Sequence, residues 1–336
     1  MTPLPILTLS HGTGLLPVAN RLRREGATVE HLPFRHKYER AWEGSLDTVL
    51  KGEKKRDAAT LAPVIQLAAE GATTVLLDHP RWSELFHVAQ SLYGVTPRVT
   101  PASPVRACGW WTGETLVAPH LLVVDLGAWT GGYGPPVEGG ATLIVGYGAL
   151  VQHLLEPLFD ELKASGHRGL VQAHFTLQTG ALTGWEGGWQ GLHTHAFLGA
   201  LVTPLREVLG GAAPALAPLY TVAVPVTVPP WPLACNLASV ESPIPMRSPE
   251  TPGLTPDQLS HILWHDIRLE GGQLRVAGLD GLVGVAYGGA MGMPLAQRRA
   301  LETATSLRLP EVQLRMDVGQ SVPLVQAMLE ERGVLG

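Results

Sequence analysis

The stretch that most limits how this chain folds lies in its last third, from Trp264 to Gly319. Two short runs of strand-forming residues, Gln273–Ala277 and Leu282–Ala286, are separated by Gly278 and Asp280–Gly281. Such a pattern predicts two strands joined through a tight turn. Small residues follow at Gly288, Gly289 and Gly292. A helix is predicted from Pro294 to about Leu307, because proline suits the first helical turn. A further strand-like run then leads into Arg315-Met316-Asp317-Val318-Gly319.

The amino terminus has a second ordered pattern. Ile6–Leu9 is a short apolar run suited to a buried strand. His11-Gly12-Thr13-Gly14 is a glycine turn, and Leu15, Val18, Ala19 and Leu22 recur at helical spacing up to Arg24. Gly26 stops that helix, and Thr28–Leu32 reads as a second strand. Strand, glycine turn, helix and strand in that order begin a doubly wound α/β unit. The turn sets backbone N–H groups at a helix N-terminus, which makes Gly12, Thr13 and Gly14 candidates for binding a phosphate. Ala58–Glu70 and Ser83–Tyr93 read as helices around a strand at Thr73–Asp78, and the charge-rich stretch 36–56 reads as a solvated face.

A proline-rich passage near residues 97–105 marks a boundary. Beyond it, Leu121–Leu126 is a strand and Gly127–Gly134 a glycine-dense loop. Leu150–Ser165 is an amphipathic helix. Gly169–Leu177 and Gly180–Trp185 form a hairpin, and Leu198–Leu209 is a helix. From 212 to 256 the prolines are too dense for long helices, and a strand at Tyr220–Val228 fits better. The expected divisions are 1–96, 97–215 and 216–336.

Taken together, these blocks resemble the glycinamide ribonucleotide synthetase (phosphoribosylamine–glycine ligase) family of the ATP-grasp superfamily. The likeness rests on the N-terminal strand, turn and helix, on Leu126-Gly-Ala-Trp-Thr-Gly-Gly-Tyr-Gly134, on Val222–Pro232, and above all on the C-terminal block through Arg315-Met-Asp-Val-Gly319. It implies an α/β chain (α+β overall). An N-terminal doubly wound unit would precede a reduced ATP-grasp-like central domain and a small β-rich C-terminal domain. It implies ATP-dependent joining of a carboxylate to an amine through an acyl phosphate, in purine biosynthesis, with ATP and Mg²⁺ as cofactors. The partners implied are small molecules, an amino acid and a phosphorylated amine. By the same resemblance Gly131 and Gly132 join the nucleotide site, Glu186 is the metal ligand, and Arg315 and Asp317 are the catalytic candidates, holding substrate or sealing the C-terminal domain onto the others, with an ion pair between the two as the plain alternative.

Two departures stand against full activity. Lysine occurs only at 37, 51, 54, 55 and 163, so the family's phosphate-binding lysine has no counterpart between Lys55 and Lys163. The family's Glu-x-Asn pair reads Glu186-Gly187-Gly188 here, leaving one carboxylate where Mg²⁺ favours several oxygens. A catalytically degenerate homologue that binds a nucleotide or a protein is therefore the alternative.

Composition narrows the remaining classes. A formal charge of −5 argues against a general nucleic-acid surface. Two cysteines give neither a disulfide framework nor zinc spacing, and with no signal peptide or long apolar span a cytoplasmic setting is expected. Histidines 153, 167, 174, 193 and 195 crowd the middle of the chain. If 193 and 195 lay on one strand face beside His174, three imidazoles would meet as a metal set. His265-Asp266 is a possible acid–base dyad, although neighbours on a strand point to opposite sides.

Overall fold

A computed structural model describes residues 6–11, 14–34, 74–77, 92–93, 104–176, 180–189, 191–217, 219–229, 231–232, 254–270, 273–276 and 281–331. The expected helix 58–70 and the stretch 36–56 lie outside the described residues.

The amino-terminal unit has the expected order: strand β1 (Ile6–His11), helix α1 (Leu16–Arg24) and strand β2 (Val29–Phe34). With β3 (Val75–Leu77) and β4 (Leu92–Tyr93) they form a parallel sheet ordered β2-β1-β3-β4. Parallel neighbours need crossover connections, which is why one helix separates β1 from β2. Of the helix predicted over 83–93, residues 83–91 lie outside the described residues, and Leu92 and Tyr93 form a strand that pairs with Val75 and Leu76. Helix α1 buries Leu16, Val18, Ala19 and Leu22, the positions that its 3.6-residue period places on one side.

Most of the rest is one eight-stranded sheet. It contains β5 (Val105–Trp111), β6 (Leu116–Leu126), β7 (Glu138–Ile144), β8 (Gly169–Phe175), β9 (Leu182–Gly187), β10 (Tyr220–Thr227), β11 (Ile262–Trp264) and β14 (Leu282–Ala290). The order is β11-β14-β10-β7-β6-β5-β8-β9, with antiparallel neighbours throughout. Strands from both sides of residue 216 share it, because β10 pairs with β7 and β14.

Period-two alternation sorts its side chains. Val105, Ala107 and Trp111 of β5 share one face with Leu121, Val123, Val171, Ala173 and Trp185. That face packs against helices α2 (Gly148–Leu155), α3 (Phe159–Ala164) and α8 (Val322–Glu331). Cys108 and Trp110 of β5 share the other face with Leu122, Val124 and Leu170, beneath helix α4 (Gly191–Ala200) and helix α1. Both faces are covered, so β5 is buried along its whole length. Helix α1 is tied down by Arg21, which donates to the carbonyls of Leu198 and Leu201, and by Arg206 of helix α5 (Leu205–Leu209), which donates to the Glu25 carbonyl.

Several expectations change at prolines and glycines. The helix predicted over 150–165 is two helices joined by a 3₁₀ turn at Glu156–Leu158, where Pro157 has no N–H to continue the ladder. The helix predicted over 198–209 is likewise divided: α4 ends at Ala200, and Pro204 starts α5. In the C-terminal block, β13 (Gln273–Val276) pairs with β12 (Ile267–Glu270) rather than with β14. The Gly271-Gly272 pair between them is the stronger hairpin signal. No strand precedes Arg315; a single bridge, Thr227 to Gln313, stands in its place. The hairpin of β8 and β9 and the helix α7 (Met293–Ser306) form as expected.

Helix α7 lies on β10 and β14 through Ala296, Ala300 and Ala304. The close approach depends on Gly288, where an added Cβ would stand 2.7 Å from the Ala296 carbonyl oxygen and clash with the Ala300 nitrogen. Both are backbone atoms and cannot turn aside. Replacing Gly288 with alanine is therefore expected to destabilise the chain by about 1–3 kcal/mol, read as a lower urea midpoint with an unchanged slope.

Candidate functional site

The sheet face beneath α4 carries a row of polar side chains in an otherwise apolar layer. Arg106 on β5 is buried, and an unpaired guanidinium there would be costly. It lies 2.8 Å from Glu138 Oε1 and donates to Gln172 Oε1 at 3.0 Å. Gln172 in turn donates to Glu186 Oε2 at 3.2 Å, and His174 Nε2 stands 3.1 Å from Glu186 Oε1. Register explains the row, since Arg106 faces His174, and Gln172 faces both Cys108 and Glu186. Burial pushes the Glu186 carboxyl up, but the contacts with His174, Arg106 and Gln172 outweigh it and hold the group below its ordinary range.

Glu138 joins this row to α4. Its second oxygen accepts the N–H of Leu192 at 2.8 Å, satisfying a free donor at the helix N-terminus and placing negative charge at the positive end of the helix dipole. Gly191 is required there: its φ is +54°, and an added Cβ would meet Glu138 Oε2 at 2.5 Å.

His193 and His195 lie on α4, not on a strand, so they are about 200° apart around the helix axis. His193 turns to the sheet and meets His120 Nε2 at 2.9 Å. His195 turns to His265, with 2.5 Å between their Nε2 atoms. His174 is with Glu186. The three-imidazole metal set expected from 174, 193 and 195 is thus not assembled, because helical and strand periods direct these rings differently.

His195 and His265 open onto a cavity of about 340 Å³ that Gly14, Glu138, Trp189 and Asp266 also line. His195 Nδ1 donates to the Gly191 carbonyl at 2.9 Å, so its Nε2 accepts from His265. Burial lowers the His195 pKa to about 4 and takes His265 well below its usual value, with His195 adding to the effect on His265. Both rings are neutral near pH 7. His265 and Asp266 reach the same cavity because they occupy the bend between β11 and β12, where strand alternation is suspended.

Of the expected nucleotide-binding glycines, Gly14 lines this cavity, and Gly12 and Thr13 lie outside the described residues. Gly131 and Gly132 are exposed in a 3₁₀ turn, Thr130–Gly132. Arg315 and Asp317 latch that turn to the C-terminal segment. Asp317 Oδ2 accepts the Gly131 N–H at 2.9 Å, while Arg315 donates to the carbonyls of Leu126 at 2.6 Å and Gly127 at 2.8 Å and to Asp317 at 2.8 Å. Asp125 adds to the closure by accepting from Gly319 and Ser321. The latch residues do not line the cavity. Arg315 does pack against Gly139, the residue after Glu138.

Glu186 does not fit Mg²⁺. A hard divalent ion takes oxygen ligands, whereas this carboxylate is met by the nitrogens of Gln172 and His174 with Arg106 close behind. The metal-ligating cluster found among the described residues is a different one, Cys108, His120 and His193. Arg106, Cys108, His120 and Glu138 escape the sequence patterns because each is a single polar residue whose neighbours come from other strands. The visible signal was a buried-strand pattern interrupted by charge, as in Val105-Arg106-Ala107.

No protein-family model matches the chain, and no curated sequence does either. Solved structures do match in fold. Phosphoribosylamine–glycine ligase from Thermotoga maritima superposes with a TM-score of 0.60 at 13% identity, covering 94% of this chain and 100% of that one. Urea carboxylase from Kluyveromyces lactis gives 0.54 at 9% identity over 98% of this chain, and pyruvate carboxylase from Rhizobium etli gives 0.51 at 14% over 92%. The chain spans about a third of those two, 32% and 33%. The fold is therefore ATP-grasp-like, as the sequence resemblance implied. No helix among the described residues is long and apolar enough to cross a membrane.

The buried histidines make stability depend on pH. His120 and His195 titrate near 4 in the folded chain because burial disfavours their charged forms, against an ordinary value of 6.5. Between about pH 4 and 6.5 the unfolded chain binds the additional protons, so stability falls as pH falls, by up to about 1.4 kcal/mol per pH unit for each ring. Urea midpoints measured across this window are expected to decline toward acid. His195→Gln is expected to flatten the decline relative to wild type.

Proposed function

We propose that this chain is a carboxylate–amine ligase of the ATP-dependent kind, and that the cavity between the β1–α1 turn and α4 holds its amine substrate. The observation that carries this reading is the lining itself: Glu138 and Asp266 beside the neutral His195–His265 pair. Two carboxylates favour an amine in its cationic form, and neutral imidazoles beside them do not repel it. Ligation requires the bound ammonium to lose a proton, after which its nitrogen forms the new C–N bond as the acyl C–O bond to phosphate breaks; ATP is converted to ADP, and the second amine proton leaves with the departing phosphate. In this reading the chain's residues orient the amine, and the cavity walls Trp189 and Leu282 limit water. A phosphorylated amine would turn its phosphate toward Gly14 and the α1 N-terminus, away from the two acids. Glycine and phosphoribosylamine, in purine biosynthesis, are the substrates that the fold likeness favours testing first.

A second reading is favoured by one observation. Glu186 is held by nitrogen donors rather than left for a metal, which suits a homologue that keeps the substrate cavity and binds a small amine without turning it over. Incubation with ATP, Mg²⁺, glycine and phosphoribosylamine separates the two. The ligase reading expects ADP release that falls about a hundredfold, roughly 2.7 kcal/mol of transition-state stabilisation, in Glu138→Gln. Release no greater than that of the variant, together with a thermal shift on adding the amine, replaces the ligase reading with the binding one.

A further inference from the structure

The inner sheet face holds a group of side chains that the cavity does not use. Cys108 on β5, His120 on β6 and His193 on α4 each present one ligand atom, and all three atoms lie within 4.8 Å of one another. All three residues are buried. They are far apart in sequence, and the register that sets Cys108 opposite His120 brings the first two together.

The backbone is shaped around His120. Between Cys108 and Trp110 the pairing of β5 with β6 slips by one residue, so β6 carries an extra residue at Ala118–Pro119. Ala118 has φ +48°, a left-handed conformation that is costly for a residue with a Cβ. A bulge of this kind redirects the side chain beside it. Here the Ala118 carbonyl accepts from His120 Nδ1 at 2.8 Å. That bond fixes the tautomer and leaves the Nε2 lone pair directed at His193, as a backbone acceptor does behind a metal-bound histidine.

With His120 Nδ1 donating to the backbone, the two rings satisfy each other through a single Nε2–Nε2 hydrogen bond, and one ring nitrogen is left over. His193 Nε2 faces His120 Nε2 at 2.9 Å, and His193 Nδ1 is buried with no hydrogen-bond partner. Phe197 packs against both imidazoles, and Trp110 and Trp189 pack in turn against Phe197. One sulfur and two imidazole nitrogens form a borderline-soft donor set, suited to Zn²⁺ and unsuited to Mg²⁺ or Ca²⁺.

We propose that Cys108, His120 and His193 bind one Zn²⁺-class ion in the sheet core, with a fourth position left to water or a small ligand. Binding converts the Cys108 thiol to a thiolate and releases its proton. The ion then cross-links β5, β6 and α4, and so braces the helix that carries His195. The site is independent of the ligase reading, and its test does not use activity.

Co²⁺ titrated into the full-length protein is the direct probe. The proposal expects saturation at one equivalent with a thiolate-to-metal charge-transfer band. The chain's only other cysteine is Cys235, so the band is expected to survive Cys235→Ser and to vanish in Cys108→Ser. His193→Asn is expected to weaken binding at least about tenfold. Where Cys108→Ser fails to fold by circular dichroism, peptide mapping of wild type decides, with Zn²⁺ expected to slow alkylation of Cys108 in mild urea and a chelator to restore it. No saturable binding, a band that follows Cys235, or alkylation of Cys108 indifferent to Zn²⁺ overturns the site.

Discussion

The contact between Arg106 and Glu138 organises the functional half of this molecule. A guanidinium on a strand buried on both faces is tolerable only when its charge is compensated. Glu138 supplies the charge at 2.8 Å, and Gln172 supplies a further acceptor. The same carboxylate holds the first turn of α4 through the Leu192 N–H. One acidic side chain thereby links the sheet to the helix that carries both His193 and His195. It also forms part of the cavity wall. Loss of Glu138 would leave the Arg106 charge buried and would free the α4 N-terminus, so the polar row and the cavity depend on one pair.

Two further closures keep the frame around that pair rigid. Arg315 and Asp317 bind the Gly127–Gly134 loop to the segment before α8, and Asp125 binds the next turn. These contacts explain why an Arg-x-Asp-x-Gly sequence suits this place: the arginine satisfies loop carbonyls, the aspartate satisfies a loop N–H, and Gly319 adopts φ +82°. Arg21 and Arg206 dock α1 on the α4–α5 segment, which brings Gly14 to the cavity. The cavity thus lies near the end of β1 from which α1 starts, the side of a parallel sheet where α/β folds bind ligands.

Much of the frame was legible in the sequence. The strand–turn–helix–strand opening, the β8–β9 hairpin and α7 all follow from local period and turn chemistry, and the order of the blocks pointed to the ATP-grasp-like fold. Pairing was less legible. Gln273–Val276 joins Ile267–Glu270 because a Gly-Gly connection is shorter and better suited to a hairpin than the one toward Leu282. The site was the least legible part. Glu186 stood out by alignment with a motif, yet its meaning depends on Gln172 and His174, which only strand register reveals. His193 and His195 read as strand neighbours, and a helix sends them to opposite sides. Arg106 and Glu138 carry no motif at all; their partnership is a product of the β5–β6–β7 order.

If the Arg106–Glu138 pair is the organising contact, its members must be energetically coupled. Unfolding free energies of wild type, Arg106→Met, Glu138→Gln and the double variant measure that coupling without any assumption about substrate. The account predicts that each single change costs several kcal/mol and that the double variant recovers about 2 kcal/mol or more of the summed loss. Additive losses would contradict it, for they would mean that the two groups act separately and that α4 is held in place by something else.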